Sequence, residues 1–262
     1  MRIALGIEYD GAAHCGWQSQ PNSCGVQDKL EQALAGIAAE KISLLCAGRT
    51  DTGVHALAQV AHFDTTAQRP DTAWVRGVNA LLPDSIAVQW AIPVADDFHA
   101  RFSAVSRTYT YVLYNHAVRP ALQTGKVGWY HAPLDVAAME AAAQHLLGQH
   151  DFSAFRAAEC QSKTSIKTIN YINLAANGEY LTLTLNANGF LHHMVRNIIG
   201  SLIYVGAGKQ PVTWMRELLL AKDRTRSAPT FAPDGLYLAA IEYQDKWKLP
   251  AFNKSAWFKA IT

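Results

Sequence analysis

Between residues 3 and 92 the hydrophobic pattern switches back and forth between a two-residue and a 3.6-residue period, an order that few folds accept. Ile3, Leu5, Ile7 and Tyr9 alternate with smaller or polar residues, as one face of a strand does. Val26, Leu30, Leu34 and Ile37 recur at helical spacing. Ile42–Cys46 is a short apolar run, and Val54–Phe63 reads as a second strand. Asp71 is placed to cap a helix whose stripe is Trp74, Val78, Leu81 and Leu82, ended by Pro83. Ile86–Ile92 closes the set as a strand. The order β-α-β-β-α-β is the ferredoxin-like arrangement, which RNA-recognition modules also use.

The second half repeats that order. Val105–Tyr114 is a strand, Asp135 caps a helix running to Leu147, and Gly148 sits at its stop. Ile166–Leu174 and Tyr180–Asn186 flank Asn177-Gly178, a hairpin signal. A long helix is expected over Phe190–Val205, a short one over Thr213–Ala221, and a final strand over Leu236–Tyr243. The expected fold is α+β, with two ferredoxin-like (RRM-like) units whose antiparallel sheets lie side by side. Antiparallel sheets can leave one face free, so the pair would form a wide central cleft suited to a large substrate. The expected domains are 1–104 with the chemistry-bearing loop, 105–246, and a C-terminal extension at 247–262 that holds Trp247, Trp257 and Phe258.

Bulk properties narrow the setting. The 262 residues are 50% hydrophobic, enough for a large core or two ordinary ones. Glu8 and Asp10 interrupt the first apolar run, so no signal peptide is read there, and no apolar stretch spans a bilayer. A soluble cytoplasmic protein without membrane contact is expected. The four cysteines form no C-x-x-C pair, so they are expected to be reduced and structural. A net charge of +2 neither demands nor forbids a nucleic-acid partner; any basic face is local.

The sharpest local signal is Gly48-Arg49-Thr50-Asp51-Thr52-Gly53-Val54-His55-Ala56, a loop between two strand runs. Arg49, two residues from Asp51, would keep that carboxylate ionised and fit to act as base or nucleophile. An Asx-type turn, with Asp51 and Thr50 bonding nearby backbone, explains the same letters structurally. Asp51-Thr52-Gly53 also spells the triplet of aspartic proteases, but only one copy occurs and an arginine beside it opposes a shared proton. A metal hydrolase built on Asp51, His55, His192 and His193 is a further reading. It is weakened because Asp51 and His55 straddle a loop-to-strand boundary, and because adjacent histidines on a helix point to different sides.

Gly48–Ala56 resembles the catalytic loop of the TruA family of pseudouridine synthases. Tyr9-Asp10-Gly11 with Gly16-Trp17-Gln18, Phe98-His99-Ala100-Arg101-Phe102, Arg107-Thr108-Tyr109 with Tyr111, Phe152 with Phe155, and His192-His193-Met194-Val195-Arg196-Asn197 resemble further family motifs, in the family's order. They span nearly the whole chain to about Tyr243; the C-terminal extension lies outside the resemblance. The resemblance implies isomerisation of uridine at positions 38, 39 and 40 of the tRNA anticodon stem-loop. It implies catalysis by Asp51 with Arg49 and Tyr109, and entry of Arg196 into the site. It also implies a homodimer. The Phe98, His99, Ala100, Arg101, Phe102 segment and the Cys160, Gln161, Ser162, Lys163 segment match family stretches near the tRNA. Arg69, Arg101, Arg107 and Lys163 are candidates for phosphate contacts. From residues alone, Tyr109 is a core-facing strand aromatic and Arg196 a polar residue on a half-buried helix. No metal, nucleotide or other cofactor is expected, because the reaction moves a bond within one nucleoside. A binding-only RNA module is the remaining alternative.

Overall fold

Alternation in the first strand does what the pattern predicts: Ile3, Leu5, Ile7 and Tyr9 of β1 (Arg2–Tyr9) are all buried. A computed structural model describes residues 1–250 and Phe258. The chain divides into two compact units, Met1–Val105 with the segment from Tyr237 onward, and Ser106–Leu236.

In the first unit, α1 (Val26–Ala38) buries Val26, Leu30, Ala33, Leu34 and Ala38 along one stripe. It begins where the Gly25 N–H donates to Asp28 Oδ2 (3.0 Å) and ends at Ala39 in the left-handed region. β2 (Leu45–Cys46), β3 (His55–Asp64) and β4 (Ile86–Val94) complete the order read from the sequence. The strands lie in the order β4-β1-β3, with β2 on β3, and all these pairings are antiparallel. The expected second helix is shorter and wider than its stripe suggests. It contains a π-helical turn, Ala73–Gly77, preceded by Thr72 rather than Asp71. Trp74 and Val78 are buried, but Leu81 lies beyond the turn and is 57% exposed.

The far face of this sheet is not left bare. β3 is buried on both faces from His55 to Phe63. Ala4, Ala47 and Val60 share a cluster with Phe98 and Ala100, and Trp90, Ile241, Tyr243 and Trp247 pack against it. Trp247, at the start of the expected extension, sets its ring edge on Phe98 at 5.2 Å. Trp257 lies outside the described residues.

In the second unit β5 (Ala104–Asn115), β9 (Tyr180–Ala187), β8 (Ile166–Asn177) and β7 (Gly148–Asp151) form an antiparallel row, with β6 (Gly128–Tyr130) parallel on β5. Asp135 caps α2 (Val136–Gln144) by accepting from the Ala138 N–H at 2.9 Å. α3 is Met194–Gly206, buried on almost every side, and α4 is Trp214–Ala221. α3 starts four residues later than the stripe predicts. His193 precedes it at φ +61°, and the rings of His192 and His193 lie 4.0 Å apart. They therefore do not diverge to opposite sides of a helix, because neither is in one.

The last strand, β10 (Leu236–Tyr243), is expected from its place in the chain to close the second unit. It forms with the expected bounds, and its Tyr237 and Leu238 pair in parallel with His55 and Ala56 of β3. β2 takes the other half of that edge, at Ala61 and His62. The cysteines differ from the expectation that all are reduced: Cys15 and Cys24 form a disulfide, leaving Cys46 and Cys160 free. The loop between β1 and α1 doubles back so that the Cys15 N–H donates to the Cys24 carbonyl at 3.1 Å, which brings the two Cα atoms to 5.4 Å. Among the described residues no helix is long and apolar enough to cross a membrane.

Asn197, on the first turn of α3, is wholly buried and tied on three sides. Its Nδ2 donates to the Phe155 carbonyl (2.8 Å), and its Oδ1 accepts from Arg224 (3.0 Å) and Thr230 (2.7 Å). Each orphaned buried group costs about 1–3 kcal/mol. Asn197→Ala should lower the urea unfolding free energy by roughly 3 kcal/mol or more; an unchanged midpoint would show the network to be dispensable.

Candidate active-site loop

The Gly48–Ala56 loop is held from both sides. At its start the buried Gln59 amide donates to the Gly48 carbonyl at 2.6 Å and accepts from the Gly48 N–H at 3.4 Å. Thr50 turns inward, with its hydroxyl 2.7 Å from the Tyr9 hydroxyl. Its carbonyl accepts from the Trp17 N–H at 3.0 Å. Arg49 and Asp51, the neighbours of Thr50, are exposed and half-buried respectively. Burial along the loop therefore alternates, with Arg49 exposed, Thr50 buried and Asp51 half-buried.

The loop then turns sharply. The Val54 N–H donates to the Asp51 carbonyl at 3.1 Å, and Gly53 takes φ +80°, a value that a Cβ would strain. At the exit, buried His55 accepts the Gly11 N–H on Nδ1 at 3.0 Å, with an Asp10 oxygen also 3.0 Å away, and stacks on Tyr237 at 4.6 Å. Gly11 is required where it stands: a Cβ there would meet the Val54 carbonyl at 2.0 Å. Gly16 likewise lies against the Thr50 carbonyl, 2.7 Å from where its Cβ would be. The Tyr9-Asp10-Gly11 and Gly16-Trp17 motifs are therefore the bed on which the loop lies.

The other candidates in this unit sort by burial. Phe98 and Ala100 are fully buried; His99 is half-buried, and Arg101 and Phe102 are exposed. His99 Nδ1 accepts from the Arg101 N–H (3.1 Å) and shapes a tight turn, while the Arg101 guanidinium lies over the Phe102 ring at 5.6 Å. Arg69 is exposed but donates through Nε to the Ile37 carbonyl at 2.9 Å, near the end of α1.

In the second unit Tyr109 lies on β5 opposite Leu185, 8% exposed, with Phe190 edge-on at 5.0 Å. Arg107 is half-buried on the same strand and donates to the Asn188 carbonyl at 3.3 Å. Arg196, on α3, donates through Nε to the Phe231 carbonyl at 2.8 Å. Cys160 is buried, and its Sγ accepts from the His192 N–H at 3.4 Å. Gln161 and Lys163 are exposed and Ser162 half-buried; Arg156 shapes their loop by donating to the Cys160 carbonyl (2.6 Å) and the Ser162 carbonyl (3.2 Å). Sequence reasoning passes over Arg156, Gln59 and Asn197 as site builders. Their signal is a polar residue inside an otherwise apolar run, which does not reveal its partner.

The Phe98–Phe102 turn carries a titratable anchor. The Ala100 N–H donates to His62 Nδ1 at 3.2 Å, which requires an unprotonated nitrogen. Burial, reinforced by His99 and Arg2, pushes His62 down to about 4. The unfolded ring, near 6.5, binds a proton that the folded one refuses, so stability is full above about pH 6.5 and falls as the pH drops towards about 4. Urea unfolding between pH 7 and 4 should show this loss and His62→Gln should flatten it; equal slopes for the two proteins would refute it.

Residues 6–103 and 142–244 match the family described as tRNA pseudouridine synthase. Gly48–Ala56 and His192–Asn197 lie inside the matched segments, and Tyr109 lies between them. The chain is 56% identical over 250 residues to tRNA pseudouridine synthase A of Paraburkholderia xenovorans, covering 95% of this chain and 93% of that protein. It is 57% identical over 250 residues to the protein of the same name from Thiobacillus denitrificans, covering 95% and 96%. Against the one from Herminiimonas arsenicoxydans it is 58% identical over 253 residues, covering 95% and 92%. With matches of this identity running through both units, the chain belongs to the tRNA pseudouridine synthase family.

Proposed function

We propose that this protein isomerises uridine to pseudouridine at positions 38, 39 and 40 in the anticodon stem-loop of tRNA, with the Asp51 carboxylate as the catalytic group. The observation that carries this reading is the pinned loop that buries Thr50 and leaves Arg49 exposed and Asp51 half-buried, in a chain of this family. The reaction breaks the N1–C1′ bond, rotates the uracil and joins C5 to C1′. C5 gives up its proton and N1 gains one, so no oxidant, reductant or phosphate donor is consumed and no cofactor is required.

The target bases are stacked in a stem, so one must be extruded, at about a few kcal/mol offset by pocket and phosphate contacts. In this reading Arg49 fills the vacated space beside Asp51. Tyr109 stacks on the flipped uracil, its hydroxyl placed to assist proton removal at C5. The Arg196 guanidinium serves a phosphate. RNA contacts go to the exposed or half-buried members of each segment: His99, Arg101 and Phe102 in one, Gln161, Ser162 and Lys163 in the other, with Arg69 and Arg107. Phe98, Ala100 and Cys160 are buried and hold those segments in shape. The strand order β4-β1-β3-β2 supports a ferredoxin-like reading of the first unit. A homodimer acting in the cytoplasm completes the proposal.

Tritium released from tRNA labelled at uridine C5 reports the reaction directly. Asp51→Ala should lower release by about a hundredfold to ten-thousandfold while tRNA affinity stays within a few-fold. No release by the wild type on any tRNA would leave only an RNA-binding module. Arg101→Ala with Lys163→Ala should weaken tRNA binding and flatten its log–log salt dependence, by about 0.7–0.9 for each phosphate that is no longer neutralised. An unchanged slope would remove both residues from the interface.

A further inference from the structure

We infer that the buried hydroxyl pair of Tyr9 and Thr50, with the Gln59 amide behind it, forms a positioning device that sets the aim of Asp51. The inference rests on the assignment of Asp51 proposed above. Tyr9 is 3% exposed, Thr50 7% and Gln59 0%, so none of the three presents itself to a substrate. Gln59 Nε2 lies 3.5 Å from the Tyr9 hydroxyl and 2.6 Å from the Gly48 carbonyl. The Tyr9 hydroxyl in turn meets Thr50 at 2.7 Å. The chain of bonds therefore grips the backbone at Gly48 and the side chain at Thr50, one residue on either side of Arg49. Asp51 follows directly. A Thr50 side chain fixed inward fixes the backbone from which its two neighbours project.

Because the Thr50 carbonyl is held as well, by the Trp17 N–H at 3.0 Å, the residue leading into Asp51 is tied through both its main chain and its side chain. Catalytic constellations tolerate about half an ångström of error, so loosening this grip should cost rate and not affinity. β1 supplies Tyr9 and β3 supplies Gln59; the strand that the loop enters and that strand's antiparallel neighbour thereby fix what the loop displays.

The test is a cycle of Tyr9→Phe, Thr50→Val and the double variant, with Thr50→Ser as the conservative rescue. Each is assayed for single-turnover tritium release, tRNA Kd and Tm, beside Asp51→Ala. Tyr9→Phe and Thr50→Val should each slow release about tenfold or more, with Kd within about twofold of wild type. Thr50→Ser should recover to within about threefold. The double variant leaves no unpaired hydroxyl, so its Tm should return towards wild type while its rate stays low, a separation that a purely structural role does not produce. Wild-type release rates in Tyr9→Phe and Thr50→Val, with Asp51→Ala inactive, would overturn the inference and leave the Asp51 assignment standing. Rate recovering with Tm in the double variant would overturn it too. Wild-type release by Asp51→Ala would overturn the assignment itself, and this inference with it.

Discussion

The register of β1 against β3 governs the first unit. It runs from Arg2 opposite Asp64 to Tyr9 opposite Ala56, with an irregularity between Ile7 and Tyr9. At one end this pairing lets Arg2 bond both oxygens of Asp64 at 2.8 Å, a fork that also reaches the Phe98 carbonyl. At the other it brings the Tyr9 phenol to Thr50. A slip of one residue would turn Ile3, Leu5 and Ile7 to the opposite face and carry Tyr9 out of the loop's bed. The extra residue in β3 falls beside the loop, where a bulge can re-aim side chains without disturbing the rest of the ladder.

That dependence explains why the glycines of the motifs are spaced as they are. Gly11 and Gly16 lie in the β1–α1 connection, yet each faces backbone of the Asp51 loop at a distance no side chain permits. Two segments far apart in sequence are thus packed main chain against main chain. Such packing yields little apolar burial and a great deal of geometric definition.

Much of this is legible in the sequence because period reports burial directly. β1, α1, β3, β4, β5, the Asn177-Gly178 hairpin and the Asp135 cap follow from local spacing and turn chemistry. What local spacing omits is which distant segment supplies a partner. The bounds of β10 follow from its alternation, but its parallel pairing with β3 does not. The π-helical turn keeps Trp74 and Val78 inward and releases Leu81, because a wider turn changes which residue faces the core. His193 adopts a left-handed backbone that its helical-looking neighbours conceal. Within the site, pattern and family resemblance together single out Asp51 and Arg49. Phe98, Ala100 and Cys160 carry the same resemblance but are interior, since a motif records which residues recur together and not which of them reach solvent.

The return of the final strand makes the first unit discontinuous: the stretch from Ser106 to Leu236 is spliced into it as an uninterrupted module. A ribosome therefore releases every residue of the inner module before it delivers the strand that the outer one still lacks. Until that strand arrives, half of one edge of β3 has open donors and acceptors beside His55, the exit of the Asp51 loop. Bringing it home closes a span of chain longer than the inner module, and the entropic penalty for that closure grows only with the logarithm of its length. The stacking of Tyr237 on His55, at the exit of the Asp51 loop, can form only once that strand has arrived.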